Sequence, residues 1–388
     1  MSEDDRQTRI GGNHVDRRAF LGGTAAAGLA GLAGCTDSEV DEEGTGTPGT
    51  DGGSGTDDLE SLGYGRERGD LGGTPMSEMP DLEGDLTVYS GRGEFLVGEL
   101  VGYIESLYDD FSLEVRYGGA TDLVNQIVNE GDGTPADVFY SVNAGALGAL
   151  ADEGRTAALS DDLLGLVREE FHTDQWIGTS GRARSVPYNT NALAEDDLPN
   201  SVMEFPEGVD AQLGWAPSYG SCQAFVTAMR ILEGEEATRE WLNAVQEAGI
   251  ESYPDEFAVC QAIADGEIDA GFTNHYYIQR VIEGREDPPI ATTFTEGDAG
   301  AVFNVAGAAV VDQASDPTLA ENFIRHLLST EAQDYFAVRT FEYPLVEGVP
   351  PVGDLPSIDE LDVPNIDLAQ LSDLQETVDL MRETGVNV

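Results

Sequence analysis

Two rhythms of apolar positions alternate along residues 86–150. LTVYS (86–90), LEVRY (113–117) and ADVFYS (136–141) are short runs rich in β-branched and aromatic residues, the signal of strands. Between the first two, Leu96, Leu100, Ile104 and Tyr108 recur every fourth residue and mark one face of a helix. Helical stretches are also predicted over 121–130 and, from small residues, over 143–150. The pattern restarts after Tyr188 with LGWAP (213–217), helices over 221–232 and 236–248, IESYP (250–254), a helix over 256–264, IDAGFT (268–273) and a helix from Tyr277. Asp316-Pro317 predicts an N-cap followed by proline at the first helical position, opening a helix with Leu319, Phe323 and Leu327 inside. Strand, helix, strand in this order predicts parallel pairing, so the fold class is α/β. Two such units joined by extended segments predict two lobes around a cleft. Ligands of such sheets sit at the C-terminal ends of the strands.

Composition adds to this picture. The 388 residues are 40% hydrophobic, enough for one large or two ordinary domains. Nineteen basic residues against 74 acidic ones give a net charge of −55, a field that repels nucleic acid and anionic lipid. All nineteen are Arg, so P-loop phosphate binding and Schiff-base catalysis have no lysine to perform them. Strand and helix patterns persist to the C-terminal end, so the acidity reads as a surface adapted to salt rather than as disorder. In this the chain resembles secreted proteins of extreme halophiles.

Residues 1–35 read as a targeting segment: Arg17-Arg18 in DRRAFL, a short Gly/Ala-rich apolar run, then LAGC ending at Cys35. A spanning helix needs roughly 20 strongly apolar residues, more than this run supplies. The segment resembles a twin-arginine signal joined to a lipoprotein lipobox. That resemblance implies export in a folded state, a lipid on Cys35 and a place on the outer face of the cell membrane. Residues 36–83 have the Gly, Thr, Ser, Asp and Glu composition of a disordered, self-repelling tether.

The strand-end positions collect Ser90, Arg92 and Glu94 in the first unit, Tyr140 after the third strand, and Tyr219, Gly220, Ser221, Asp255, Glu256, Asn274, His275, Tyr276 and Tyr277 in the second. Tyr276 and Tyr277 can act together only in the turn between IDAGFT and its helix, because strand side chains alternate. A bound hard trivalent cation reverses the usual pKa logic and holds phenols ionised, so paired phenolates suit ferric iron. The alternative is an ordinary aromatic pair at a helix start. Cys222 and Cys260 both follow strand ends, and in an exported protein they are expected to form a disulfide. His172, His275 and His326 lie far apart in sequence, against a zinc cluster. Arg182 and Arg184 are expected to structure the crossover between lobes or to pair with carboxylates, with facing the anion as the alternative.

LTVYSGR (86–92), PADVFYS (135–141), SGRAR with PYNT (180–190), GEIDAGFTNHYYIQR (266–280) and FEYPL (341–345), in this order, resemble the periplasmic ferric-ion-binding proteins of ATP-driven iron importers. The resemblance covers nearly all of residues 85–388. It implies a type II two-lobed periplasmic-binding-protein fold with hinge crossovers, one lobe over 84–186 plus 305–355 and the other over 187–304 plus 356–388. It implies no enzymatic activity, Fe(III) as cargo with a synergistic anion such as carbonate, a membrane permease as partner and a monomeric protein. Tyr276 and Tyr277 take the places of the family's paired tyrosines, and Asn274 that of an anion-pocket asparagine. Two family ligands are absent, their places taken by Gly93 and Val142. Arg92 with Ser90 then becomes the anion clamp, with the backbone groups of Gly220 and Ser221 at a helix N-terminus aiding the anion, Tyr219 the third phenolate, and Tyr140 and Glu94 the reserve ligands. Glu256 replaces a neutral residue of the anion pocket, which argues against phosphate there and makes Glu256 itself a further candidate ligand. A receptor for another small solute (an anion, a polyamine or thiamine) remains the alternative on the same fold. An exported metal-dependent hydrolase is the alternative of another class, and no base, nucleophile or zinc grouping stands for it.

Overall fold

Ten strands carry the fold of a computed structural model that describes Arg68 and residues 71–388 apart from Asp373. In chain order they are β1 (Gly84–Ser90), β2 (Phe111–Tyr117), β3 (Val138–Ser141), β4 (Ile177–Asn189), β5 (Leu213–Trp215), β6 (Glu251–Ser252), β7 (Ala270–Gly271), β8 (Thr273–Asn274), β9 (Ile290–Thr293) and β10 (Phe303–Val310). β1 pairs in parallel with β2 and β3, setting Val88 beside both Val115 and Val138. Parallel neighbours need crossovers. The helices Glu94–Ser106 and Ala120–Glu130 supply them, burying Val97, Leu100, Val101 and Ile104 from the first and Leu123, Val124 and Ile127 from the second. Each such side chain contributes about 1.5–3 kcal/mol on leaving water. β5 pairs in parallel with β6 and β7 to start the second unit.

The two units share one strand. β4 pairs antiparallel with β10 from Ile177 to Ala183, then with β8 from Arg184, while β7 and β9 pair along its last residues. The resulting order is β2-β1-β3-β10-β4-β7-β5-β6, with β8 and β9 also on β4. Apart from Arg182 every residue of β4 is buried, so its sequence has no alternation to reveal it as a strand. IDAGFT divides into β7 and β8 around Phe272, and the following helix starts at His275 rather than Tyr277. The Asp316 carboxylate accepts from the amides of Thr318 and Leu319, with Pro317 opening the helix Pro317–Leu327.

Two boundaries differ from expectation. Residues 1–67, 69 and 70, with the targeting segment, Cys35 and most of the expected tether, lie outside the described residues; from Thr74 onward the described chain is packed well before Glu83. Met76, Met79 and Leu82 are buried, the Met76 amide donates to Glu331 Oε2 (2.7 Å), and Arg68 Nε pairs with Asp334 (2.7 Å). Three apolar anchors in a polar stretch suffice to dock this strap on the first unit. The segment 356–388, expected in the second lobe, touches both units. A Cβ on Gly148 of the helix Ala144–Asp152 would stand 2.8 Å from the Ala369 Cβ, while Thr377 bonds Thr227 (2.7 Å) on the helix Gly220–Glu233.

Candidate functional site

β8 ends at Asn274 and the helix His275–Gly284 begins at once, so Tyr276 and Tyr277 share its first turn. Their ring centroids are 4.3 Å apart. Tyr219 precedes the helix Gly220–Glu233, and its hydroxyl lies 2.6 Å from that of Tyr277. The Asn274 side chain caps no backbone amide of its helix; its Nδ2 donates to the Tyr276 hydroxyl at 3.4 Å. One turn on, the Arg280 guanidinium covers both rings of the pair, 5.3 and 5.5 Å from their centroids. Tyr277 is only 3% exposed. Burial, followed by the neighbouring Tyr276, Tyr219 and Glu256, pushes its phenol well above the ordinary range, so without a cation it keeps its proton at neutral pH.

Behind the phenols stands Glu256, with no exposed surface. Its Oε1 accepts from Ser221 Oγ (2.6 Å) and from Arg184 Nη1, and its Oε2 accepts from the Asn274 amide (2.8 Å). Ser221 and Asn274, expected around an external anion, therefore converge on an internal carboxylate. Gly220 is exposed at the helix start with open space around it.

His275 faces away from this chemistry. Its Nδ1 accepts from the Ala183 amide (3.1 Å) and its Nε2 donates to the Phe341 carbonyl (2.8 Å). Burial pushes its pKa down to about 4, which keeps the ring neutral. Phe341 is held at a left-handed φ of 61° directly after the π-helix Phe336–Thr340, a strained junction that the imidazole bond ties to the tyrosine-bearing helix.

The first-unit candidates are not brought to the tyrosines. Ser90 Oγ donates to the Arg92 carbonyl (2.8 Å) and stabilises its own turn. Arg92 is buried, with Nη1 on Ser180 Oγ (2.6 Å) and Nη2 on Glu342 Oε2 (2.6 Å), so its expected role as an anion clamp gives way to an internal ion pair. Tyr140 is fully buried under the Arg92 guanidinium (5.5 Å), where burial pushes its phenol up. Glu94 is exposed at the start of its helix, beside Tyr117. Arg182 is the half-buried cation of β4, opposite Asn304; among the described residues it forms no ion pair, and its Nε is buried without a hydrogen bond. Its charge acts on both His275 and Glu342.

The expected disulfide does not form: Cys222 and Cys260 are both free and buried. Cys222 packs with Phe225 and Trp241 in the large core, whereas Cys260 packs with Val259 and Ile263 in a separate cluster and lies 3.6 Å from Thr273 Oγ1. Among the described residues no group of three His, Cys, Asp or Glu side chains is placed to hold a metal ion.

The family of bacterial extracellular solute-binding proteins matches residues 86–341, from β1 to the strained Phe341. The chain belongs to that family. It is therefore a solute-binding protein rather than an enzyme. The Fe(3+)-binding periplasmic protein of Serratia marcescens is 29% identical to it over 311 residues, covering 78% of this chain and 90% of that protein. The major ferric iron-binding protein of Neisseria meningitidis serogroup A is 29% identical, covering 78% and 93%. The crystal structure of iron-bound HitA from Pseudomonas aeruginosa superposes with a TM-score of 0.68 at 29% identity, over 78% of this chain and 99% of that one. The fold of this solute-binding protein is accordingly the mixed α/β periplasmic-binding-protein fold.

Two residues of the solute-binding protein's polar framework escaped the sequence. Glu342 pairs with Arg92 across 250 positions, and its signal was a carboxylate flanked by Phe341 and Tyr343, where a charge is expected only with a partner. Arg280 sits three and four residues beyond the tyrosines, the spacing that places side chains on one helix face.

Proposed function

We propose that this protein captures Fe(III) outside the cell and delivers it to an ATP-driven importer in the membrane. Tyr276, Tyr277 and Tyr219 bind the ion as phenolates. A small oxyanion such as carbonate, or an oxygen of an iron chelate, fills the remaining positions. The observation that carries the reading is the approach of the Tyr219 and Tyr277 hydroxyls to 2.6 Å beside Tyr276. Three phenols from two loops gathered in this way suit a hard cation that displaces their protons. The names of the Serratia and Neisseria relatives point to the same cargo. A receptor that stacks a cationic polyamine or thiamine on these rings would bring a second cation to a pair that Arg280 already lies over. The protein acts as a monomer, exported by the twin-arginine route and held by a lipid on Cys35, with its carboxylate-rich surface working in high salt.

A visible absorption titration with ferric citrate at high salt tests the proposal. A broad phenolate-to-iron charge-transfer band is expected in the wild type and not in Tyr276→Phe/Tyr277→Phe. Absence of the band in the wild type would return the rings to binding an organic solute.

A further inference from the structure

Resting on that reading for its place beside the iron, we infer that Glu256 is a built-in anion: its carboxylate fills an oxyanion cradle behind the phenols, so the protein takes no free phosphate or carboxylate there.

The cradle is assembled from four separate pieces of chain. Ser221 Oγ comes from the first turn of the helix Gly220–Glu233, the Asn274 amide from the end of β8, and the Arg184 guanidinium from β4. The fourth piece is the first turn of the helix Glu256–Asp265, where a negative charge is favoured by the peptide dipoles. A hydroxyl, a main-chain amide, a guanidinium and helix N-termini are the donors that hold phosphate and carboxylate ligands in general. Here the anion is supplied by the chain itself. Both carboxylate oxygens are engaged and the side chain has no exposed surface, so an external anion finds neither donor nor space.

A simple buried ion pair needs only the arginine. The Ser221 and Asn274 bonds do something more, because Ser221 follows Tyr219 by two residues and Asn274 precedes Tyr276 by two. The carboxylate thus ties the two tyrosine-bearing loops to one point and positions their phenols. Both parts of the role follow from the same geometry: an anion in this cradle sets the distance between the loops, whether it is covalently attached or not.

Anion rescue tests this in the metal-free full chain, with chloride exchanged for formate or phosphate at fixed high ionic strength. Glu256→Ala is expected to lower the thermal midpoint by roughly 10 °C, since it leaves Arg184 buried without its counter-charge. Formate or phosphate should restore part of that loss, while wild type and Glu256→Gln, whose cradles are filled, stay unmoved. If Glu256→Ala does not fold in chloride, its recovery by refolding in formate or phosphate gives the same answer. No rescue by either anion, or an equal upward shift in wild type, overturns the inference. The readout contains no iron, so its failure leaves the ferric reading standing, and loss of the visible band in wild type leaves the cradle standing.

Discussion

Each unit of this protein buries one Arg–Glu pair near the ends of its strands, and the two pairs do different work. Arg92 and Glu342 face each other inside the first unit, with Ser180 and Thr340 completing the network and the Tyr140 ring lying beside it. Every group there turns inward, and the loop after β1 satisfies its own backbone through Ser90. Arg184 and Glu256 lie instead beneath the loops that carry Tyr219, Tyr276 and Tyr277. The same chemistry closes a core in one place and, in the other, joins the loops that carry the tyrosines. What separates them is where the further donors to the carboxylate come from, Ser180 and Thr340 inside the first unit against Ser221 and Asn274 beside the tyrosines, not the ion pair itself.

The sharpest way to break this contrast is to remove phenols from each unit in turn. Tyr276→Phe/Tyr277→Phe should weaken ferric iron by more than the ~100-fold that marks loss of an outer-shell partner, measured by competition with citrate. Tyr140→Phe should leave the affinity unchanged. Next in size are the arginines. Arg92→Ala and Arg184→Ala should each cost about 3–5 kcal/mol in denaturant unfolding, because each strands a buried carboxylate. Only Arg184→Ala should also weaken iron binding, by about tenfold; equal effects on iron would erase the distinction between the pairs.

Acidification should produce a somewhat smaller loss. His275 has a folded pKa of about 4, below its unfolded value, so between that point and about 6.5 the unfolded chain binds more protons. Stability is therefore full above about 6.5 and falls by about 3 kcal/mol as the pH drops toward 4, and His275→Gln should flatten that part of the profile in metal-free protein. The smallest effect concerns the segment that bridges the units. Gly148→Ala would place a Cβ 2.8 Å from that of Ala369, a clash expected to cost about 1–3 kcal/mol by chemical unfolding, with iron affinity unchanged.

The first unit was legible because its crossover helices show a clean four-residue apolar spacing and its strands are bounded by turns. Asp316-Pro317 was legible because a cap is a local device, and the tyrosine pair because it falls where a strand signal meets a helix signal. β4 and β10 were hidden by burial on both faces, and β10 further by the small residues of FNVAGAAV. Tyr140 was misplaced for the same reason: all four residues of β3 are buried, so alternation gives no hint of which way a side chain turns. The partner of Arg92 lies 250 residues away, a distance at which no spacing rule operates. Cys222 and Cys260 both follow strand ends, yet they belong to different core clusters, and position along the chain does not carry that information.

An anomalous difference map at the iron absorption edge, from crystals of the ferric-loaded protein, tests the central claim most directly. The account predicts a single strong peak bounded by the hydroxyl oxygens of Tyr219, Tyr276 and Tyr277. A peak among surface carboxylates, or beside Tyr140 and Arg92, would contradict it.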